Sequence, residues 1–158
     1  LGAGGEQLAA VATPLTTDHV ATDEVERERV VAAGGFITDD AKFGLRVNGL
    51  QVTRSLGDVG SPGTVATPST TRIPLGKGNV LGVDVPPNAV SLVQYVVLAS
   101  DGVWGGISVQ ALLDEIIQPE MRAAAAGEAI LNAAEERADP NALDNLSVAV
   151  YCRVTKPV

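Results

Sequence analysis

The sequence is poor in the residues that most often announce chemistry. A single cysteine, Cys152, excludes an internal disulfide. It sits in the apolar run SVAVYCRV with no histidine near it in sequence, so it reads as a small core residue rather than a catalytic thiol. There is one histidine, His19, and there are five aromatic residues, so a composition that is 46% hydrophobic must pack through Ala, Val and Leu. No run approaches the roughly 20 apolar residues of a membrane-spanning helix. The opening residues also lack the charged-then-apolar order of a signal peptide. An intracellular chain, cytoplasmic or nuclear and without a membrane partner, is expected. Basic residues are scarce as well: 11 Lys and Arg against 19 Asp and Glu give a net charge of −8. That balance argues against a nucleic-acid partner, which needs a basic face, and it suits divalent cations.

The 158 residues fit one domain of ordinary size, with no internal repeat and no shift in composition. Leu1 opens with neither cap nor methionine, as if the chain were part of something longer. Local signals place the elements. An edge strand is expected within QLAAVATPL. DEVERERVVAAGG has an aspartate with a glutamate three positions later and a double glycine at its end, which predicts a helix from Asp23. Leu45 and Val47 flank Asn48-Gly49 on one side and Leu50 and Val52 on the other, which predicts a β-hairpin. Residues 57–91, rich in proline and glycine, read as loop with short extended pieces. SLVQYVVLAS reads as a central strand buried on both faces. A helix follows Ser108, with Val109, Leu112, Leu113, Ile116 and Ile117 on one face, and a second, Ala-rich helix covers about Glu120 to Ala138, bending or loosening at Gly127. DNLSVAVYCRVT closes the chain as a strand.

The buried-looking strand ends on Ser100-Asp101-Gly102, and a charge beside a core must be paired, protonated or bound to a cation. The last strand begins at Asp144-Asn145. If the two strands pair antiparallel, these ends meet and bring two carboxylates to one edge of the core. Mg²⁺ or Mn²⁺, which prefer oxygen ligands, would relieve the repulsion. Gly102 would let the chain turn there. The alternative is that both aspartates simply serve as turn residues bonded to their own backbone. A phosphoryl-accepting aspartate is disfavoured, because Ala99 occupies the position where a paired aspartate would be needed.

Taken in order, TTDH (16–19), ERERVVAAGG (26–35), VNGLQVTRSLGD (47–58), VATP (65–68), LASDGVW (98–104) and DNLSV (144–148) resemble the C-terminal half of the PP2C family, the metal-dependent serine/threonine protein phosphatases. The resemblance covers nearly the whole chain. It implies an α+β fold, part of an α/β/β/α sandwich of antiparallel sheets flanked by helices, with residues 1–158 forming a partial domain whose N-terminal half is missing. It implies a binuclear Mn²⁺ or Mg²⁺ centre at one end of the sheets, where a metal-activated water hydrolyses phosphoserine or phosphothreonine in a phosphoprotein substrate. Asp101 and Asp144 match metal ligands of the family, and Asp18 matches a carboxylate that helps to hold a third, weaker metal.

Other residues keep two readings. Arg54 and Asp58 lie near the site by resemblance, or form an ion pair that fixes a turn. His19 reads as a hydrogen-bonding residue rather than a general acid, and Trp104 as filler between helix and sheet rather than a substrate contact. Two departures from the family pattern stand out. The phosphate-binding arginine, the Glu-Asp pair and the Asp-Gly-His-Gly-Gly motif do not occur, and Gly105 replaces an aspartate of the third-metal region. A catalytically inactive binding or regulatory relative is therefore the alternative to an enzyme.

Overall fold

The computed structural model describes residues 11–73, 79–80, 83–84, 92–118, 120–140 and 144–155. They gather into two compact units, one formed by residues 15–72 and the other by the rest of the chain. Helices and antiparallel sheets make the fold α+β.

In the 15–72 unit, helix α1 spans Glu24–Ala32. Its start is set by Asp23, whose carboxylate accepts from the Glu26 N–H at 3.0 Å. Its end is set by the glycine pair. Gly34, at φ 84°, donates its N–H to Val31 O at 3.0 Å, and Gly35 donates to Val30 O at 2.9 Å. These are the two bonds of a Schellman cap, and they need a left-handed residue at the first glycine. Val30 on the buried face packs with Ala21 and Val47, and Ile37 and Leu45 cover this small core.

Strand β1, Ile37–Asp40, pairs with β2, Gly44–Val47, in the register Ile37↔Val47 to Asp40↔Gly44. This corrects the expected hairpin. Asn48-Gly49 does form a two-residue turn, with Val47 and Leu50 exchanging hydrogen bonds of 2.8 and 2.7 Å, but no ladder continues beyond it. Val52 bridges Val20 instead, and Thr53 donates its N–H to His19 O at 2.8 Å. The chain leaves the hairpin because Thr53 and Arg54 are drawn onto Glu26 of α1. β1 escaped the sequence reading because its ITDD carries one apolar residue in four.

In the other unit, β5 (Leu92–Ala99) and β6 (Val148–Thr155) form an antiparallel pair from Leu92↔Thr155 to Ala99↔Val148. A separate short pair, β3 (Asn79–Val80) with β4 (Val83–Asp84), lies within the stretch expected to be mostly loop. Helix α2 is one turn, Asp101–Trp104, and α3, Val109–Ala111, widens into a π-helical turn over Leu112–Ile116. Ser108 caps α3 by accepting from the Ala111 N–H at 3.1 Å. Helix α4, Ala123–Arg137, runs through Gly127 without a break. Gly127 faces Val148 and Val150 of β6, so the glycine marks a helix–sheet contact rather than a bend.

The core of this unit joins Val103, Ile107, Leu112, Ile116, Ile130 and Ala134, with Val97, Val148 and Val150 packed against it from the sheet. Burial on both faces of β5 is not found. Leu98 is 61% exposed and Tyr151 on β6 is 53% exposed, because the described helices cover only the opposite face. Cys152 is half-buried rather than in the core. Of the edge strand expected near the N-terminus, residues 7–10 lie outside the described residues and 11–14 carry no regular structure. Among the described residues no helix is long and apolar enough to cross a membrane.

Candidate metal centre

Asp101 and Asp144 reach the same end of the β5–β6 pair because the register closes at Ala99↔Val148. Ser100 ties the two turns together. Its N–H donates to Ser147 O at 2.9 Å. Its Oγ donates to Asn145 O at 2.8 Å and accepts from the Ser147 N–H at 3.1 Å. A single hydroxyl thus satisfies one acceptor and one donor of the opposite strand's approach, which holds residues 144–147 against the start of α2. The sequence reading saw only a small polar residue there.

Gly102 lies under the same approach. A Cβ at this position would sit 2.7 Å from Asn145 O and 3.2 Å from Asp144 Cβ. Its φ is not left-handed, so the glycine is required by close approach rather than by a sharp turn. Both carboxylates are exposed. Oδ1 of Asp101 accepts from the Gly102 N–H at 3.0 Å, and Oδ1 of Asp144 accepts from the Asn145 N–H at 2.7 Å. The second oxygen of each has no partner among the described residues.

This donor set suits a hard divalent cation: two carboxylates at one end of a sheet, and a cradle that a β-carbon would fill. It is not a complete ligand shell. Among the described residues, no three His, Cys, Asp or Glu side chains converge. Asp18 is exposed within the 15–72 unit and joins no such group.

Trp104 does not fill the layer between helix and sheet. It is 37% exposed, with its indole N–H donating to Ala99 O at 3.0 Å, and the neighbouring Val103 takes the core position instead. Gly105 follows as the C-cap of α2.

The 15–72 unit holds a second polar centre that the sequence reading missed. Glu26, on the buried side of α1, is only 4% exposed and carries a carboxylate. It accepts from Thr53 Oγ1 at 2.5 Å, from Arg29 Nη2 at 2.8 Å and from Arg54 Nε at 3.0 Å, and Arg54 Nη2 also bonds it. The Arg54 guanidinium, opposed by burial and assisted by Arg29 and Thr53, holds the Glu26 carboxyl far below the usual carboxylate range. The expected Arg54–Asp58 ion pair is thereby corrected: Arg54 pairs with Glu26, while Asp58 accepts from Ser55 Oγ at 2.6 Å. Arg54 Nη1 continues outward to Thr67 O at 3.1 Å and Ser69 Oγ at 3.3 Å. His19 Nε2 meets the same Ser69 Oγ at 2.8 Å.

The family model for protein phosphatase 2C matches residues 3–146, and the chain belongs to that family. Probable protein phosphatase 2C 11 of Oryza sativa subsp. japonica is 35% identical over 131 residues, covering 78% of this chain and 33% of the relative. Protein phosphatase 2C homolog 2 of Schizosaccharomyces pombe is 34% identical, covering 65% of this chain and 26% of the relative. Probable protein phosphatase 2C 21 of Arabidopsis thaliana is 29% identical, covering 90% and 39%. A solved structure, that of a C. elegans sex determining protein, superposes with a TM-score of 0.60 at 30% identity, over 86% of this chain and 31% of that one. The chain spans about a quarter to two fifths of the length of these curated relatives.

Proposed function

We propose that the protein is a Mg²⁺- or Mn²⁺-dependent protein serine/threonine phosphatase in which Asp101 and Asp144 are metal ligands. The observation that carries this reading is the lacing of the two aspartate-bearing turns by Ser100 over the Gly102 cradle. It explains why two like charges lie at one sheet end with an oxygen of each left open. Ser100 orients both turns, the Gly102 and Asn145 N–H groups hold one oxygen of each aspartate, and the other oxygen of each would be the one to hold a cation. The chemistry drawn from bound ions is activation of water and stabilisation of charge on a phosphoryl group. Asp18 is proposed as a ligand of a further, weaker ion. The substrate is a phosphoserine or phosphothreonine protein, and the remaining ligands and a phosphate-holding arginine are proposed to come from sequence preceding Leu1. An intracellular location follows from such a substrate.

A second reading, a catalytically inactive binding or regulatory relative, is favoured by one observation: Gly105 stands where the family pattern has an aspartate. The experiment that decides is a phosphothreonine-peptide assay on the full-length protein. Activity is expected to vanish on exhaustive chelation and to return with Mn²⁺. Asp101→Asn should lower turnover by about a hundredfold or more with the fold intact, since a ligand charge is lost. Turnover that survives chelation, or a near-normal D101N enzyme, overturns the enzyme reading as stated. A full-length protein with no turnover at any metal concentration supports the inactive relative.

A further inference from the structure

Ser69 lies in residues 66–72, a stretch exposed throughout and outside any helix or strand. Its hydroxyl receives two donor-bearing side chains from elsewhere in the same unit, Arg54 Nη1 at 3.3 Å and His19 Nε2 at 2.8 Å. An exposed serine has water for partners and does not need either of them. The guanidinium is fixed before it reaches Ser69: Nε and Nη2 are held by Glu26, and Glu26 is held in turn by Thr53 and Arg29. In direct contact, this cluster sets one carboxylate against two guanidiniums, leaving one positive charge in excess, and Nη1 carries it outward. The opposing carboxylates are Asp23, which acts on Arg54 through space but is engaged in capping α1, and Asp18 beside His19.

We propose that Ser69 is built to carry a phosphoryl group, seated between Arg54 and His19. The donor would be a nucleoside triphosphate used by a separate protein kinase. A bond forms between Ser69 Oγ and the γ-phosphorus, the bridging P–O bond breaks, the nucleoside diphosphate leaves, and the hydroxyl proton passes to the kinase's base. The product brings about −1.5 to −2 charge and three acceptor oxygens to the point where the two donors already converge. The 3.3 Å bond from the Arg54 cation to a neutral hydroxyl becomes one to an anion, with charge on both partners. His19 serves with Nε2 protonated, whether or not the ring is charged. The 66–72 stretch, now tied by Thr67 O, Ser69 and the bond from Thr71 Oγ1 to Leu15 O at 2.9 Å, would be locked onto the α1 network.

The test uses the full-length protein with phosphoserine installed at position 69. Chelator is present throughout, so that metal-dependent self-hydrolysis is silent and the result does not depend on the phosphatase reading. Phosphorus NMR is expected to place the phosphate titration at lower pH in the native protein than in the same protein unfolded in urea. The amides of Thr67, Ser69, Thr70 and Thr71 are expected to exchange about tenfold more slowly than in the unphosphorylated protein, the worth of a charge-assisted hydrogen bond. His19→Ala, which leaves the Glu26 network intact, should reduce both effects. Identical titrations in the native and urea-unfolded protein, or exchange that is unchanged or faster, overturns the proposal. So does a His19→Ala protein indistinguishable from its parent in both measurements.

Discussion

Replacing Glu26 with glutamine keeps the shape of the side chain and removes its charge from beneath two guanidiniums. Glu26 is almost wholly enclosed, and its partner Thr53 is completely so. Removing one partner of a buried ion pair costs about 3–5 kcal/mol, because the other is left uncompensated. Arg29 and Arg54 keep 29% and 22% of their side-chain exposure and can recover water, so the lower end applies, about 3 kcal/mol. The amides of Val47 and Thr53, bonded to Leu50 O and His19 O, report the opening of this unit. In Glu26→Gln they should exchange about a hundredfold faster near neutral pH, at about 1.4 kcal/mol per tenfold.

The carboxyl of Glu26 is depressed in the folded state, so its stabilisation is complete above the unfolded value of about 4.3. Below that, the unfolded chain takes up a proton that the native state resists, and each pH unit removes about a factor of ten from the gap between parent and variant. The loss continues until the native carboxyl itself titrates. A neutral-pH effect under tenfold, or a gap that stays constant through acid once intrinsic exchange rates are corrected for, would refute the reasoning.

Gly127→Ala should stabilise by about 0.5–1 kcal/mol, since the new methyl meets Val150 and Val148 at ordinary distances of 3.6 and 3.8 Å and the helix loses an unfavourable residue. A lowered thermal midpoint would show that the close helix–sheet contact has no room. Gly102→Ala should cost about 1–3 kcal/mol, because its methyl lies 2.7 Å from Asn145 O, and in the full-length protein it should weaken Mn²⁺ binding about tenfold or more by displacing Asp144. Unchanged titration calorimetry would separate Gly102 from the metal reading. The 158-residue chain by itself should bind Mn²⁺ weakly and show no turnover, as two carboxylates depend on added ligands to hold such an ion. Tight binding of two ions would mean that it holds a fuller site than Asp101 and Asp144 provide.

The features legible in the sequence were those fixed by neighbours along the chain. Asp23 and the Gly34-Gly35 pair bracket α1 because caps are local, and the acid-bearing ends of two apolar runs announced how β5 and β6 pair. Glu26 was not legible: it looks like a capping-box residue three positions after Asp23, and the partner that claims it, Arg54, lies 28 residues on. The same long-range demand pulled residues 52–54 away from the hairpin that Leu50 and Val52 suggested. The apolar half of β5 was misread because a run of hydrophobic residues states a need for cover without saying where the cover is; Leu98 finds none among the described helices. At the metal centre the two aspartates were visible as a pair of strand ends. The groups that hold them there, the Ser100 hydroxyl and the Asn145 carbonyl over Gly102, belong to a contact across 45 residues.

The indole of Trp104, hydrogen-bonded to the end of β5 and partly open to water, has an optical consequence. It is the only tryptophan, and both tyrosines, Tyr95 and Tyr151, sit on β5 and β6. Residues 15–72 contain neither, so the unit built around Glu26 is dark to intrinsic fluorescence excited in these chromophores. An emission-detected unfolding curve would follow the β5–β6 unit alone and could pass a Glu26 variant as undamaged. The same asymmetry makes Trp104, three residues from Asp101 on one helical turn, a built-in reporter for paramagnetic Mn²⁺: quenching localised to this single indole would register an ion arriving at the sheet end without any added label.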